Sequence, residues 1–295
     1  MPIYETIRKE ISGTVLKDEM LKEHTSIRIG GPAEIFAVPE GYPDMKWLIR
    51  FLKSKRIKYF IIGKGTNIIF SDNGYKGVVI DTKRCFNEIK IERDRIFVGS
   101  GVDLLTLINK SAKAGLSCLE NLAGIPGTIG GAVWMNAGAF GTEIKDCVER
   151  VSYINEFGQE LTEKSHFSYR LSSFKKGDVI TNAEFRFEKK EAAKILKRIE
   201  NVQKKRCEKQ PLESLSAGSI FKNPQNAYAG EIIDRLKMRG MCVGDAIVSQ
   251  KHANFIVNKK NASCKDVRTL IDIIRDRVRK AERIELELEV EFVEA

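Results

Sequence analysis

The chain has 295 residues, 42% hydrophobic and 31% charged, with 7 prolines. That is the composition of a globular protein of about two domains with a sizeable core. No apolar run reaches the roughly 18 residues of a membrane span, and the start MPIYETIRKE lacks a signal-peptide core, so a cytoplasmic protein with no membrane partner is expected. The net charge of +10 suits anionic partners. No zinc knuckle, RNA-recognition signature or basic zipper accompanies it, which argues against nucleic acid. Cys85, Cys118, Cys147, Cys207, Cys242 and Cys264 form no C-x-x-C pair, and His24, His166 and His252 are scattered, so no metal site is expected. Most of the cysteines are expected to be buried thiols.

In chain order, residues 27–38 (IRIGGPAEIFAV) read as two short strands around a Gly-Gly-Pro turn. Pro43 opens a helix, PDMKWLIRFLKSKRI, with Trp47, Leu48, Phe51 and Leu52 on one face. Residues 58–82 read as strand, GKGTN turn, strand, Asn-Gly hairpin turn and strand. RIFVGSGV (95–102) reads as a strand and LLTLINKSAKAG (104–115) as a helix ended by Gly115. A hairpin over 146–162 turns at Phe157-Gly158, and 178–189 alternates as a strand. KKEAAKILKRIENVQKKR (189–206) is an amphipathic helix with a basic face, carrying Ala192, Ala193, Ile195, Leu196, Ile199 and Val202. The composition shifts at 205–224, as at the passage into another domain. Ser263 and Asp266 form a capping box for a helix. In the closing RIELELEVEF, Ile284, Leu286, Leu288, Val290 and Phe292 share one face of a strand, and Glu285, Glu287, Glu289 and Glu291 the other.

Three glycine clusters invite a nucleotide. GSGVDL (99–104) lies between a strand and a helix, but Leu104 stands where a dinucleotide fingerprint needs Gly or Ala. GKGTN (63–67) lacks Walker A spacing and reads either as a hairpin turn or as a phosphate nest. IPGTIGG (125–131) opens a stretch, 124–141, with six glycines among Trp134, Met135 and Phe140. It reads as a tight core loop or as bare backbone approached by a ligand.

Taken together, HTSIRIGGPAEIF (24–36), IIGKGTNIIFSDNGYKGVVI (61–80), LENLAGIPGTIGGAVWMNAGAFG (119–141), FSYRLSSFK (167–175), SAGSIFKNP (216–224), VSQKHANFIVN (248–258) and LELEVEF (286–292) resemble, in order and spacing, the UDP-N-acetylenolpyruvoylglucosamine reductase family. The likeness runs from about residue 20 to the end. It implies an α+β fold with a two-lobed FAD-binding domain of the vanillyl-alcohol-oxidase type over residues 1–205 (lobes about 20–85 and 86–200) and an α+β substrate-binding domain over 206–295. The length matches the family's shorter type, which lacks an inserted segment that lends a tyrosine to the substrate site. His24, Cys118 and Leu215 depart from the usual Asn, Gly and Pro.

The resemblance implies a cytoplasmic, monomeric enzyme of peptidoglycan precursor synthesis, reducing UDP-N-acetylglucosamine enolpyruvate to UDP-N-acetylmuramate with NADPH as hydride donor. It implies non-covalent FAD held by Gly63, Lys64, Gly65, Thr66, Asn67, Pro126, Gly127, Thr128, Gly130, Gly131 and Gly138, largely through backbone donors. Ser219 matches the family's proton donor, Arg170 its active-site arginine, and Glu289 the glutamate of its terminal E-V motif. Serine can serve as the acid because its acceptor is a strongly basic carbanion. The arginine can pair with the substrate carboxylate and stabilise enolate charge. A charged Glu289 would repel that enolate, so it is expected to be protonated or to orient the acid. Tyr169, Lys222, Asn223, His252 and Asn254 are weaker candidates for binding the UDP-sugar or NADPH. A sugar or alcohol oxidase sharing the FAD lobe is the alternative, although GKGTN lacks the histidine that several of those bond to flavin.

Overall fold

The computed structural model describes every residue except Met1 and Glu156. The fold is α+β, and the chain divides into two compact units. The first comprises residues 1–17, 35–64 and 77–205, the second 18–34, 65–76 and 206–295.

The first unit contains most of a four-stranded sheet, ordered Thr14–Met20, Pro32–Val38, Tyr75–Asp81, Tyr59–Ile62. Helices Ile3–Glu10 and Tyr42–Ser54 bury Ile7, Met45, Leu48, Ile49 and Leu52 with Ile35, Val78 and Ile80. Each such side chain contributes about 2 kcal/mol by leaving water. A second sheet is ordered Glu160–Glu163, Val148–Ile154, Val179–Arg186, Arg95–Gly99, Ile89–Glu92, antiparallel throughout. Its core side (Ile96, Val98, Phe185) packs with Leu107 and Ile108 of helix Leu104–Lys113, Ile129 and Val133 of Ile129–Trp134, and Ile195, Ile199 and Val202 of Ala192–Lys209.

The second unit is built on an antiparallel sheet ordered Ser216–Ser219, Phe255–Asn258, Ala246–Val248, Cys242–Val243. Helices Ala229–Arg235 and Cys264–Glu282 share its core, with Ile232, Ile233, Leu270, Ile271 and Ile274 buried. Two earlier segments belong here because polar side chains tie them in. Asn258 Nδ2 donates to the Ile27 carbonyl at 3.0 Å. The Asp72 carboxylate accepts the amides of Cys264 at 2.8 Å and Lys265 at 3.1 Å, meeting two of the orphan donors at that helix start. The Ser263–Asp266 capping box forms as read from the sequence.

Several expectations are corrected. Residues 27–38 hold one strand, Pro32–Val38, rather than two. Ile68–Phe70 forms no hairpin with Tyr75–Asp81. It pairs in parallel with Glu291–Val293, and Tyr75–Asp81 pairs in parallel with Tyr59–Ile62. GKGTN is therefore not a hairpin turn but a loop joining strands of different sheets, and the unit boundary falls between Lys64 and Gly65. The closing strand is shorter than its alternation suggests: a bridge joins Leu288 to Phe221, and the ladder covers only Glu291–Val293. The basic helix is shifted to 192–209. Of the six cysteines only Cys147 and Cys264 are buried, and Cys207 and Cys242 are exposed.

Asp72→Ala should destabilise the protein by about 1–2 kcal/mol, read as a lower urea midpoint at unchanged m-value. An unshifted midpoint would remove Asp72 from the account of how 65–76 is held.

Candidate active site

In the first unit GSGVDL, IPGTIGG and the Gly63-Lys64 start of GKGTN converge on one another. The amides of Ile129 and Gly130 donate to the carbonyls of Val102 and Ser100, both at 2.8 Å, and Leu104 N donates to the Gly127 carbonyl at 3.0 Å. Thr128 caps helix Ile129–Trp134. Asp103 caps the neighbouring helix, its Oδ1 accepting Leu105 N at 2.8 Å, and pairs with Lys64. Burial lowers the Lys64 pKa, with Lys83 adding to the effect. A Cβ on Gly63 would collide with Thr128 Oγ1, and one on Gly130 would stand 3.0 Å from Ser100 Cβ.

These glycines are thus required by chain-to-chain approach. The Gly130 amide, expected among the phosphate donors, is committed to Ser100. What the junction offers an anionic group is Lys64, the Thr128 hydroxyl and Ser100. Ser100 is 1% exposed, and its Oγ has no hydrogen-bond partner among the described residues. An unpaired buried hydroxyl costs about 1–3 kcal/mol, so these residues fit a polar cofactor lying against them.

The second half of the glycine-rich stretch serves the arginine. Tyr169 and Arg170 are the two turn residues of a hairpin between Phe167–Ser168 and Leu171–Ser172. Arg170 has φ +56, a conformation that Gly or Asn adopts at less cost. Arg93 takes the same conformation in the two-residue turn between Glu92 and Arg95, so the tight turn itself accounts for it. Its Nη2 donates to the Gly138 carbonyl at 2.8 Å, its Nη1 lies 3.6 Å from Glu143 Oε1, and the guanidinium lies over the Tyr169 ring at 4.9 Å. Gly138, expected with the cofactor residues, abuts Arg170: a Cβ there would be 2.9 Å from Nη1.

In the second unit the strand Ser216–Ser219 carries a bulge. Ser216 pairs with Val257 and Ser219 with Phe255, so one extra residue is accommodated, and Gly218 supplies φ +78. Such bulges re-aim the next side chain, here that of Ser219. Beside it, Glu289 N donates to the Ile220 carbonyl at 2.8 Å. Asn67 Nδ2 donates to the Glu289 carbonyl at 2.9 Å, and Glu291 N returns a bond to the Asn67 carbonyl at 2.9 Å. Ser26 joins the Gly65 and Ser216 carbonyls. Gly65, Thr66 and Asn67 therefore lie with Ser219 and Glu289, whereas Gly63, Lys64 and Arg170 belong to the first unit. Glu289 and Glu291 are half-buried while Glu285 and Glu287 are exposed, a distinction that alternation alone did not make.

Asn254 spends its amide on Phe221, Oδ1 accepting the backbone N–H at 3.0 Å and Nδ2 donating to the carbonyl at 2.8 Å. It thereby fixes the residue after Ile220. Asn223 Oδ1 accepts Ala229 N at 3.1 Å, and Lys222 faces Glu287 at 3.5 Å. His252 Nδ1 accepts Asn254 N at 3.2 Å, which puts the proton of the neutral ring on Nε2. Burial, then Arg239, lower the His252 pKa, against Asp234. Ser100, Asp103, Asn136 and Glu143 were not singled out from the sequence. The orphaned hydroxyl and the crowding about Gly138 are visible only in three dimensions.

Residues 33–162 match the FAD binding domain family, which defines the protein as a flavoprotein. Residues 210–293 match the UDP-N-acetylenolpyruvoylglucosamine reductase C-terminal domain. The chain is 42% identical to the UDP-N-acetylenolpyruvoylglucosamine reductase of Clostridium tetani, covering 95% of this chain and 92% of that protein. It is 43% identical to that of Carboxydothermus hydrogenoformans, over 98% and 97%. The crystal structure of the Thermus caldophilus reductase superposes with a TM-score of 0.80 at 34% identity, over 96% and 99% of the two chains. This chain belongs to the UDP-N-acetylenolpyruvoylglucosamine reductase family.

Gly130→Val should yield folded protein without FAD, measured as lost absorbance near the flavin bands. A fully loaded variant would contradict the expectation that the glycine-rich stretch 124–141 lies against FAD. Because the His252 pKa is depressed, the unfolded chain binds more protons than the folded one as pH falls below the ordinary value of 6.5, and stability drops through that window. His252→Asn should therefore lose less Tm than the parent between about pH 7.5 and about pH 5; equal losses would contradict the buried neutral ring.

Proposed function

We propose that the protein reduces the enolpyruvyl C=C of UDP-N-acetylglucosamine enolpyruvate to give UDP-N-acetylmuramate, drawing its hydride from NADPH, with FAD bound non-covalently. The bulge that re-aims Ser219 beside the Glu289 segment carries this reading: a simple strand needs neither Gly218 at φ +78 nor a glutamate backbone tied to Ile220. Lys64, Thr128 and Ser100 would lie against the cofactor, whose bound form would supply the hydride. The GKGTN loop has no histidine for a covalent link.

Hydride addition to the terminal carbon leaves a carbanion delocalised into the adjacent carboxylate. Arg170 stabilises that charge by a two-point, charge-assisted pair with the carboxylate. Ser219 delivers the proton to the carbanion carbon; Glu289, held by Ile220 and Asn67 through its backbone, orients or replenishes that proton. Residues 206–295 read the nucleotide sugar, with Tyr169, Lys222, Asn223 and His252 as further contacts. Asn254 serves the same site by pinning Phe221. The net charge of +10 favours an anionic nucleotide sugar and NADPH.

Ser219→Ala should leave flavin bleaching by NADPH nearly intact and slow reoxidation by the enolpyruvyl sugar by about three orders of magnitude, within the usual reach of positioned acids. Equal loss in both half-reactions would contradict the proton-donor role.

A further inference from the structure

Glu143 and Asn136 form a clamp behind the Arg170 hairpin. Asn136 is wholly buried and takes φ +45, another left-handed non-glycine residue. Its Nδ2 donates to Glu143 Oε2 at 2.9 Å and to the Ser168 carbonyl at 2.9 Å, and its Oδ1 accepts Lys145 N at 3.0 Å. One amide thus joins the carboxylate to the hairpin that carries the arginine. The carboxylate is held in turn by Lys145 Nζ at 2.8 Å and by the capping box over Ile144–Asp146, which leaves Oε1 facing Arg170 Nη1 at 3.6 Å. The Arg170 side chain is 14% exposed and the Glu143 side chain 18%. Ser172 Oγ anchors the far strand of the hairpin on the Trp134 carbonyl at 2.5 Å.

An arginine side chain has four soft torsions and loses much of its value as an anion receptor if it wanders. Here the Gly138 carbonyl accepts from Nη2 at 2.8 Å and the Glu143 carboxylate faces Nη1 at 3.6 Å, which restricts the orientation of the guanidinium. Neither brace is a reacting group. We propose that Glu143, set by Asn136, is the positioning residue for Arg170: it orients the guanidinium toward the substrate carboxylate and so acts on the enolpyruvyl half-reaction alone. This inference rests on the role given to Arg170 above. It assigns a task to the second half of the glycine-rich stretch that cofactor binding does not account for.

The test uses the FAD-loaded enzyme and separates the half-reactions. Glu143→Gln should slow reoxidation by UDP-N-acetylglucosamine enolpyruvate about 10- to 100-fold, the size of one lost charge-assisted contact. FAD affinity and bleaching by NADPH should stay within about twofold of the parent by the same reasoning. In an Arg170→Ala or Arg170→Lys background the same substitution should add little, because its effect passes through the arginine. Unimpaired reoxidation in Glu143→Gln, an undiminished loss in both arginine backgrounds, or loss of FAD would each overturn the brace. A parent enzyme that the enolpyruvyl sugar does not reoxidise would overturn the proposed function and the brace with it; a parent that turns over beside an unimpaired Glu143→Gln would overturn the brace alone.

Discussion

Gly130 lies close on Ser100, where an added Cβ would stand 3.0 Å from Ser100 Cβ, and much of the first unit follows from that contact. The Gly130 and Ile129 amides bond the carbonyls of Ser100 and Val102, so the loop after Pro126 is stitched to the end of strand Arg95–Gly99. This sets the start of helix Ile129–Trp134. The helix end in turn sets Asn136, whose buried amide reaches both Glu143 and the Arg170 hairpin. A Cβ at Gly130 would press on Ser100, where this loop meets the strand end. In the stretch 124–141, Gly130 and Gly138 lie close against Ser100, Glu143 and Arg170, and Gly124, Gly127 and Gly141 take positive φ; it is apolar because Ile129, Ala132 and Val133 are part of the core.

The second unit solves a different problem, that of presenting a serine and a carboxylate from segments far apart in sequence. It does so through the backbone. A bulge turns Ser219, the Ile220 carbonyl receives Glu289 N, and Asn67 closes the set from the GKGTN loop. Asn254 and Asn67 hold this backbone through their side-chain amides. A similar arrangement appears in the first unit, where Asn136 and Gly138 hold and Arg170 is held.

Local structure was legible in the sequence wherever a local rule decides it: Pro43 at a helix start, Gly115 at φ +69 after a helix, the Gly158 turn and the Ser263–Asp266 box. Pairing was not, because a two-residue period names the face of a strand and not its neighbour. Nothing in IIF at 68–70 announces that it lies beside EFV at 291–293. The roles proposed for Ser219, Arg170 and Glu289 come from the resemblance; alternation alone could not separate Glu289 from its neighbours. Glu143 was missed because one glutamate among 40 acidic residues carries no signal until Asn136 and Arg170 are seen around it.

The most direct test of the central claim is an anaerobic visible spectrum of the purified protein, taken before NADPH, after NADPH, and after UDP-N-acetylglucosamine enolpyruvate. The account predicts flavin bands that bleach with NADPH and return with the enolpyruvyl sugar in the absence of oxygen. Bands that return only when oxygen is admitted would contradict it and favour an oxidase.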